Sequence, residues 1–171
     1  MKRQEYVNLE NKPKRQRATS GSIVLINVGG YYYYAQILTM YECAFFDVQL
    51  REPLDDLSIL SHCPVLFIVC LYRDVISSGC WPKVGRIPIR EDFLPLPMQY
   101  IHHDYSEEEW ELYDPNTGAI RPSTREECLG LECCAVWDRR HVEDRLSDHY
   151  AGVSCKWTDI MREHFESPLT K

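Results

Sequence analysis

The chain has 171 residues, of which 44% are hydrophobic and 26% charged. This size and composition suit one folded domain and exclude a disordered protein. The formal net charge of −7 is unevenly distributed, because residues 1–17 carry six basic and two acidic side chains while positions 18–171 hold 13 basic and 24 acidic ones, a net −11. That balance argues against general nucleic-acid binding by the folded part and favours basic partners.

The first residues are polar and basic, and we predict a flexible tail over residues 1–18 followed by a single domain over residues 19–171. No apolar run precedes Ile23, so the sequence predicts neither a secretory signal nor a transit peptide. The longest apolar run, residues 64–72, is shorter than the ~20 residues of a membrane-spanning helix. We therefore expect a cytoplasmic protein without membrane contact, whose eight cysteines form no disulfide framework.

The first structural element in the chain is a predicted β-hairpin. Two runs of β-branched and aromatic residues flank Gly29 and Gly30, and glycine enters the positive-φ turns of two-residue loops without steric cost. Such a loop sets Val28 opposite Tyr31 and fixes every pair further along the two strands. The glycines therefore predict the register of the hairpin.

The predicted register divides the four consecutive tyrosines between two faces. Tyr31 and Tyr33 fall on the apolar face, which we expect in a core. Tyr32 and Tyr34 fall on a mixed face, where sheet packing is the simpler interpretation and contact with a partner is the alternative. We predict Tyr32 and Tyr34 as contact residues on that alternative.

Further strands are predicted in the middle of the chain. Residues 44–50 predict a third strand, and residues 64–72 predict a buried one. Glycine and proline are dense in residues 77–89, which indicates a turn, a short strand and a second turn, with Trp81 anchored in the core. Residues 98–101 are typical of an edge strand.

The C-terminal part is predicted to be mostly helical. Ser123 and Glu126 have the spacing of a capping box, and residues 138–150 predict a helix that stops at Gly152. Residues 157–165 repeat apolar residues at helical spacing. Altogether the sequence predicts an α+β fold, with a twisted, mainly antiparallel, barrel-like sheet built on the N-terminal hairpin and two or three short helices, mostly toward the C-terminus.

The most one-sided charge lies in residues 91–120, which contain eight acidic side chains and no lysine or arginine. Charge runs are usually solvated faces, and that interpretation stays open. Aromatic residues are interleaved with these acids, which favours an interaction surface for a basic protein. The predicted contact residues of this stretch are Tyr105, Glu107, Glu108, Glu109, Trp110, Glu111, Tyr113 and Asp114.

Motifs of catalysis are absent from the sequence, including phosphate-binding loops, nucleophile elbows, zinc-protease helices and dinucleotide fingerprints. His141, Arg145 and His149 share one predicted helix face, which leaves open a shared ligand or a solvated ridge. We predict no catalytic residue, no cofactor and no resident metal. The weak metal candidates, which lack diagnostic spacing, are His102, His103 and Asp104.

Four segments resemble the immunity protein 26 family, some members of which are also labelled HocA-type phosphotriesterases. They are residues 21–26, the aromatic-Ala-Gln-Ile-Leu run of the second strand, residues 75–89, and Leu131-Glu132 with the Ala-Val-Trp that follows at 135–137. The similarity covers residues 20–152, and its most specific part is the Ser-Gly-x-Trp-Pro-x-x-Gly pattern in residues 78–85.

The resemblance implies a bacterial immunity protein that binds and neutralises a cognate toxin of a polymorphic toxin system. The acidic body suits a basic toxin such as a nuclease, with no direct nucleic-acid contact expected and homo-oligomerisation left open. The second family label implies an alternative, a small metal-dependent or nucleophilic hydrolase of the phosphotriesterase type. The resemblance carries no site residues over to this chain.

Overall fold

A computed structural model describes residues 13–103 and 109–166, except for the side chains of residues 164 and 166. The first sheet has six strands, which are β1 (Ser22–Val28), β2 (Tyr31–Ile37), β3 (Glu42–Phe46), β4 (Val65–Leu71), β5 (Lys83–Arg86) and β10 (Val136–Trp137). Their spatial order is β10-β4-β3-β2-β1-β5, and all neighbours are antiparallel apart from the parallel pair of β10 and β4.

The predicted hairpin register is confirmed residue by residue. Val28 lies opposite Tyr31, and the pairs continue without a shift to Ile23 opposite Gln36. Gly29 and Gly30 have φ of 59° and 79°, the left-handed conformation that a two-residue hairpin loop requires. The turn chemistry therefore determines which face each tyrosine occupies.

Both faces of the central strands of the first sheet carry a buried core, and this corrects the partner contact predicted for Tyr34. Tyr33 lies in a core that includes Trp81 and Trp137, whereas Tyr34 lies in a second core on the opposite face, with Phe46 and Leu60. Tyr34 is 1% exposed and its hydroxyl accepts a hydrogen bond from a backbone N–H at 2.6 Å, so it is no contact residue. The covering residues come from loops and 3₁₀ turns, which have no strand periodicity that could be read in the sequence.

A second sheet has four strands, which are β6 (Gln99–His102), β7 (Trp110–Tyr113), β8 (Ile120–Ser123) and β9 (Glu132–Cys133). Their spatial order is β8-β7-β6-β9. The prediction that β6 is an edge strand is wrong, because it lies between β7 and β9. A third core covers one face of this sheet and contains Tyr100, Trp110 and Leu112.

The helices pack against these cores. The predicted helix is confirmed as α3 (Arg139–Ala151), which begins after the cap Asp138 and ends at Gly152 with φ 68°. The capping box is displaced by one residue, since Thr124 caps α2 (Arg125–Cys128). The remaining helices are α1 (Arg73–Ser77), α4 (Lys156–Glu166) and two 3₁₀ helices, Leu57–His62 and Glu91–Phe93.

Helix α4 joins the two sheets. Its Trp157 and Met161 pack on the first core, and its Phe165 packs on the third. The hydroxyl of Tyr100 in β6 donates to the backbone oxygen of Met161 at 2.6 Å. The apolar residues that the sequence places at helical spacing in this segment thus pack on two cores.

The predicted tail ends earlier than residue 18. The side-chain amide of Gln16 donates to the backbone oxygens of Ile76 and Trp81, at 3.0 and 2.7 Å, and its carbonyl accepts from the backbone N–H of Lys83 at 3.1 Å. Ala18 packs against the first core. Residues 1–12 lie outside the described residues.

The predicted α+β class is confirmed, with two mostly antiparallel sheets and helices concentrated toward the C-terminus. Neither sheet closes into a barrel in the described part of the chain. All eight cysteines are described, and none forms a disulfide. Within residues 13–103 and 109–166, every helix is too short or too polar to cross a membrane.

Candidate functional site

The predicted acidic and aromatic stretch is only partly described. Its Asp104, Tyr105, Glu107 and Glu108 lie outside the described residues. The remaining positions are on β7 and at its two ends, where strand alternation sends Trp110 and Leu112 toward the core and Glu111 and Tyr113 to the opposite face.

Trp110 is a core residue and is wrong as a predicted contact. It is 5% exposed, and its ring lies 6.0 Å from Tyr100 and 4.5 Å from Phe165. Glu111 also makes a contact within the chain, because its carboxylate lies 2.9 Å from the His103 ring. Among the described acids of residues 105–114, Glu109 is exposed.

Asp114 builds the turn between β7 and β8. Its carboxylate accepts hydrogen bonds from the backbone N–H of Asn116 at 2.9 Å and from the hydroxyl of Thr117 at 2.8 Å. These hydrogen bonds, led by the Asn116 N–H, hold the pKa of Asp114 below its usual value. Tyr32 is half-buried and forms a backbone bridge to Leu50, so its role as a contact stays a prediction.

The predicted metal candidates do not form a site in the described part of the chain. The His102 ring lies 4.4 Å from Trp110, while His103 contacts Glu111. Among residues 13–103 and 109–166, no group of three histidine, cysteine or acidic side chains has the geometry to hold a metal ion.

The three side chains on the α3 face do not converge on a ligand. Arg145 forms two hydrogen bonds with Glu132 of β9, at 2.6 and 3.0 Å, and lies 3.8 Å above the Phe67 ring. His141 stacks on Trp157 with ring centroids 3.6 Å apart, and His149 lies 3.7 Å from Asp47. Arg145 therefore has a structural role, since it ties the helix to both sheets.

A different cluster forms where the two sheets meet, and we name it the junction patch. Glu42 on β3 lies directly opposite Cys70 on β4. Strand β9 of the second sheet contacts β4 of the first. Burial raises the pKa of Tyr113 on β7 above its usual value, and Cys134, Glu42 and Cys70 raise it further. The junction patch consists of Tyr41, Glu42, Cys70, Tyr113 and Cys134.

Exposed apolar side chains, including Tyr41 itself, lie in the segments next to Glu42 and Cys70 of the junction patch. Tyr41 and Met40 form the turn before β3, and the Tyr41 backbone oxygen accepts from the Leu71 N–H at 2.9 Å. Tyr72 follows β4, and Val136 pairs with Cys70. Large apolar side chains grouped on a surface are typical of protein interaction sites. The exposed fractions are 63% for Met40, 41% for Tyr41, 54% for Tyr72 and 48% for Val136.

Burial governs the electrostatics of the junction patch. It raises the pKa of Glu42 above 4.5, and it raises the pKa of Cys70 to about 11, with a further contribution from the Glu42 charge. Burial also raises the pKa of Cys134. Both thiols are therefore protonated at neutral pH, which makes them poor nucleophiles. The arrangement is suited to binding rather than to thiolate chemistry.

Glu42 has no ion-pair partner among the described residues, although the Thr39 hydroxyl donates to its carboxylate. A half-buried carboxylate without a cation is an incomplete electrostatic site, because a positive charge in contact with it would favour its ionised form. Sequence reasoning missed this site because Glu42, Cys70, Tyr113 and Cys134 belong to no common motif. The one signal in the sequence that could have indicated the site is Tyr41 directly before Glu42 at the start of a strand.

Comparison of the chain with protein-family models, with curated proteins and with solved structures gives no match. The resemblance to the immunity protein 26 family, and the hydrolase alternative that comes with it, therefore stay predictions from the sequence.

Proposed function

We propose that the protein binds a basic partner protein through the junction patch, and that this partner is a toxin which the protein neutralises. The observation that carries the binding role is Glu42, a half-buried carboxylate that lacks a cation among the described residues and is bordered by exposed tyrosines. The identity of the partner as a toxin is supported by the resemblance in sequence.

The chemistry of the junction patch fits a lysine or arginine of the partner. A charge that meets Glu42 is partly withdrawn from water, where attraction between opposite charges is stronger than at an exposed position. Tyr41 and Tyr72 can cover the aliphatic part of such a side chain and offer ring faces to its charge. Buried tyrosine and arginine contacts commonly provide most of the free energy of protein association.

The proposal is tested by coexpression with a candidate toxin, namely the product of the gene that neighbours this chain's gene. Glu42→Lys should abolish protection of growth, because removing one partner of a desolvated charge pair weakens association by about 2–5 kcal/mol. Glu52→Lys makes the same change of charge at an exposed acid after β3 and should keep protection. Protection by Glu42→Lys equal to that by the native chain would overturn the proposed site.

A second variant separates the junction patch from the acidic stretch predicted from the sequence. Reversal of Glu107, Glu108 and Glu109 to lysine changes the acids of that stretch and leaves Glu42 in place. The proposal expects this triple variant to protect better than Glu42→Lys. Loss of protection in the triple variant alone would assign the contact to residues 105–114 instead.

A further inference from the structure

Although the chain is acidic overall, five exposed basic side chains lie together on its surface, and we name them the basic strip. They come from two segments that are far apart in sequence, residues 13–18 and strand β5. All five are exposed, and none forms an ion pair with another described residue. The basic strip consists of Lys14, Arg15, Arg17, Lys83 and Arg86.

Gln16 holds the first segment against the fold. Its side chain makes the three hydrogen bonds to Ile76, Trp81 and Lys83 described above, so it points inward. Arg15 and Arg17 on either side of Gln16 are exposed, whereas Gln16 and Ala18 are partly buried. The segment thus presents its arginines in a fixed orientation.

Gly79 fits the same segment closely. A Cβ atom at Gly79 would lie 2.0 Å from the backbone oxygen of Lys14, so only glycine allows the chain to approach there. The Lys83 ammonium also donates to the Thr19 hydroxyl at 3.3 Å. These contacts place the two groups of cations side by side.

An open cleft of about 470 Å³ lies next to Arg86. The Arg86 side chain passes over Gly21, where a Cβ atom would lie 3.0 Å from its Nε atom. The cleft combines the aliphatic side chains of Ile87, Pro88 and Ile89 with the Arg86 guanidinium, so a flat apolar ring next to a negatively charged group would meet both an apolar wall and a cation. The cleft is lined by Ser20, Gly21, Arg86, Ile87, Pro88 and Ile89.

We propose that the basic strip binds the phosphate backbone of single-stranded nucleic acid, with a base entering the cleft beside Arg86. Arginine and lysine in a row match a chain of phosphates, and Arg15, Arg17 and Arg86 add two-pronged hydrogen bonding to phosphate oxygens. A base in a duplex is stacked and paired, so it could not enter the cleft. This inference concerns a different surface from the junction patch and does not rest on the proposed function.

An acidic protein is the competing partner, and the surface favours it less. Protein contacts usually have an apolar centre within a polar rim, whereas Val84 is the one large apolar side chain on β5 and all five cations of the basic strip are exposed. The net −11 of positions 18–171 argues against general nucleic-acid binding by the folded part. Charges farther away than the Debye length of about 8–10 Å are screened, however, so the local cations decide what binds here.

The test measures binding of a fluorescein-labelled oligothymidylate of about 20 nucleotides to the full chain by anisotropy, at several salt concentrations. Arg15→Ala/Arg17→Ala should lower the affinity at low salt by about tenfold or more, and it should reduce the slope of log K against log salt by about 1.4. The control Arg51→Ala/Arg162→Ala removes the same charge from exposed arginines elsewhere and should change both quantities less.

Three results would overturn the proposal. The first is no binding of the oligonucleotide by the native chain at low salt. The second is an equal loss of affinity in the Arg51→Ala/Arg162→Ala control. The third is stronger binding of polyglutamate or of a duplex of the same length, which would assign the basic strip to an acidic protein or to double-stranded nucleic acid. Circular dichroism of both double variants checks that they are folded.

Discussion

The junction patch and the basic strip both hold charge without an ion-pair partner among the described residues, but they hold it in opposite ways. Glu42 is a single, half-buried carboxylate bordered by aromatic side chains. The basic strip has five exposed cations in contact with water. A buried charge depends on a precisely placed partner and on pH, whereas a row of exposed charges acts over a longer range and depends on salt.

The two regions also depend on different parts of the fold. The junction patch requires the two sheets to stay together, and Arg145 links them by contacting Glu132 on β9 and Phe67 on β4. The basic strip requires the anchor of Gln16 on Trp81 and the turn at Gly79. Substitutions in these supports should therefore affect one region and spare the other.

The largest effect is expected for Trp81→Ala, which removes the core residue beneath the basic strip. Trp81 is 1% exposed, its ring lies 6.0 Å from Phe45 and its Nε1 donates to Glu143 at 3.0 Å. Loss of a buried tryptophan destabilises a domain by about 3–5 kcal/mol. Denaturant unfolding measures the change, and Trp157→Ala, at a half-buried position on α4, should cost less. A smaller loss for Trp81→Ala than for Trp157→Ala would contradict this packing.

Arg145→Met should loosen the connection of the sheets and hence the junction patch. The substitution keeps the bulk of the side chain but leaves Glu132 without its cation and removes the charge above Phe67 and Trp137. We expect the free energy of unfolding to fall by about 2–3 kcal/mol, which is less than the cost of removing one partner from a fully buried ion pair. Chemical unfolding reports the loss. Glu132→Gln/Arg145→Met should recover part of it, and no recovery would argue against the pair.

Gly79→Ala should displace the basic strip, and Gly118→Ala provides a matched control. Both glycines have positive φ, 77° and 76°, so alanine is strained at each by about 1–2 kcal/mol. Only Gly79 lies against Lys14, since the space around Gly118 is open. Limited trypsin digestion should therefore cut faster after Lys14, Arg15 and Arg17 in Gly79→Ala. Equal cutting in both variants would show that the segment does not dock there.

The smallest effect on stability is expected for Glu42→Gln. Burial raises the pKa of Glu42 in the folded state, so the folded chain binds more protons than the unfolded chain above pH 4.5. Stability from this carboxyl is therefore lost as the pH rises from 4.5 through the raised pKa. Glu42→Gln should remove that decline, and unfolding at pH 4.5 and pH 7 measures it. A native chain that gains stability relative to Glu42→Gln over this interval would contradict the sign.

The sequence predicted the hairpin well because local chemistry determines it. Gly29 and Gly30 set a two-residue loop, and the register of every pair follows from that loop. Helix α3 was predictable for the same reason, since Asp138 and Gly152 cap it at both ends. Where an element carries its own start and stop signals, its bounds can be read without the rest of the fold.

The candidate site could not be predicted in the same way. Tyr34 was assigned to a mixed face on which sheet packing and contact with a partner were both open, and loop residues far along the chain bury it. Trp110 alternates into the third core, where Phe165 of the distant helix α4 packs against it. The junction patch combines side chains from both sheets, and the basic strip combines residues 14–17 with 83–86. Both surfaces depend on contacts between distant segments, for which the sequence has no local signal.

The central claim is that Glu42 is a half-buried carboxylate that binds a basic side chain of the partner. Carboxyl-carbon NMR of the native chain as a function of pH measures it most directly, with Glu42→Gln assigning the resonance. The structure predicts a pKa for Glu42 above its ordinary value of 4.5, because burial disfavours the charged form. A pKa at or below 4.5 would show that the carboxylate is already solvated or paired within the chain, and it would contradict the role of the junction patch.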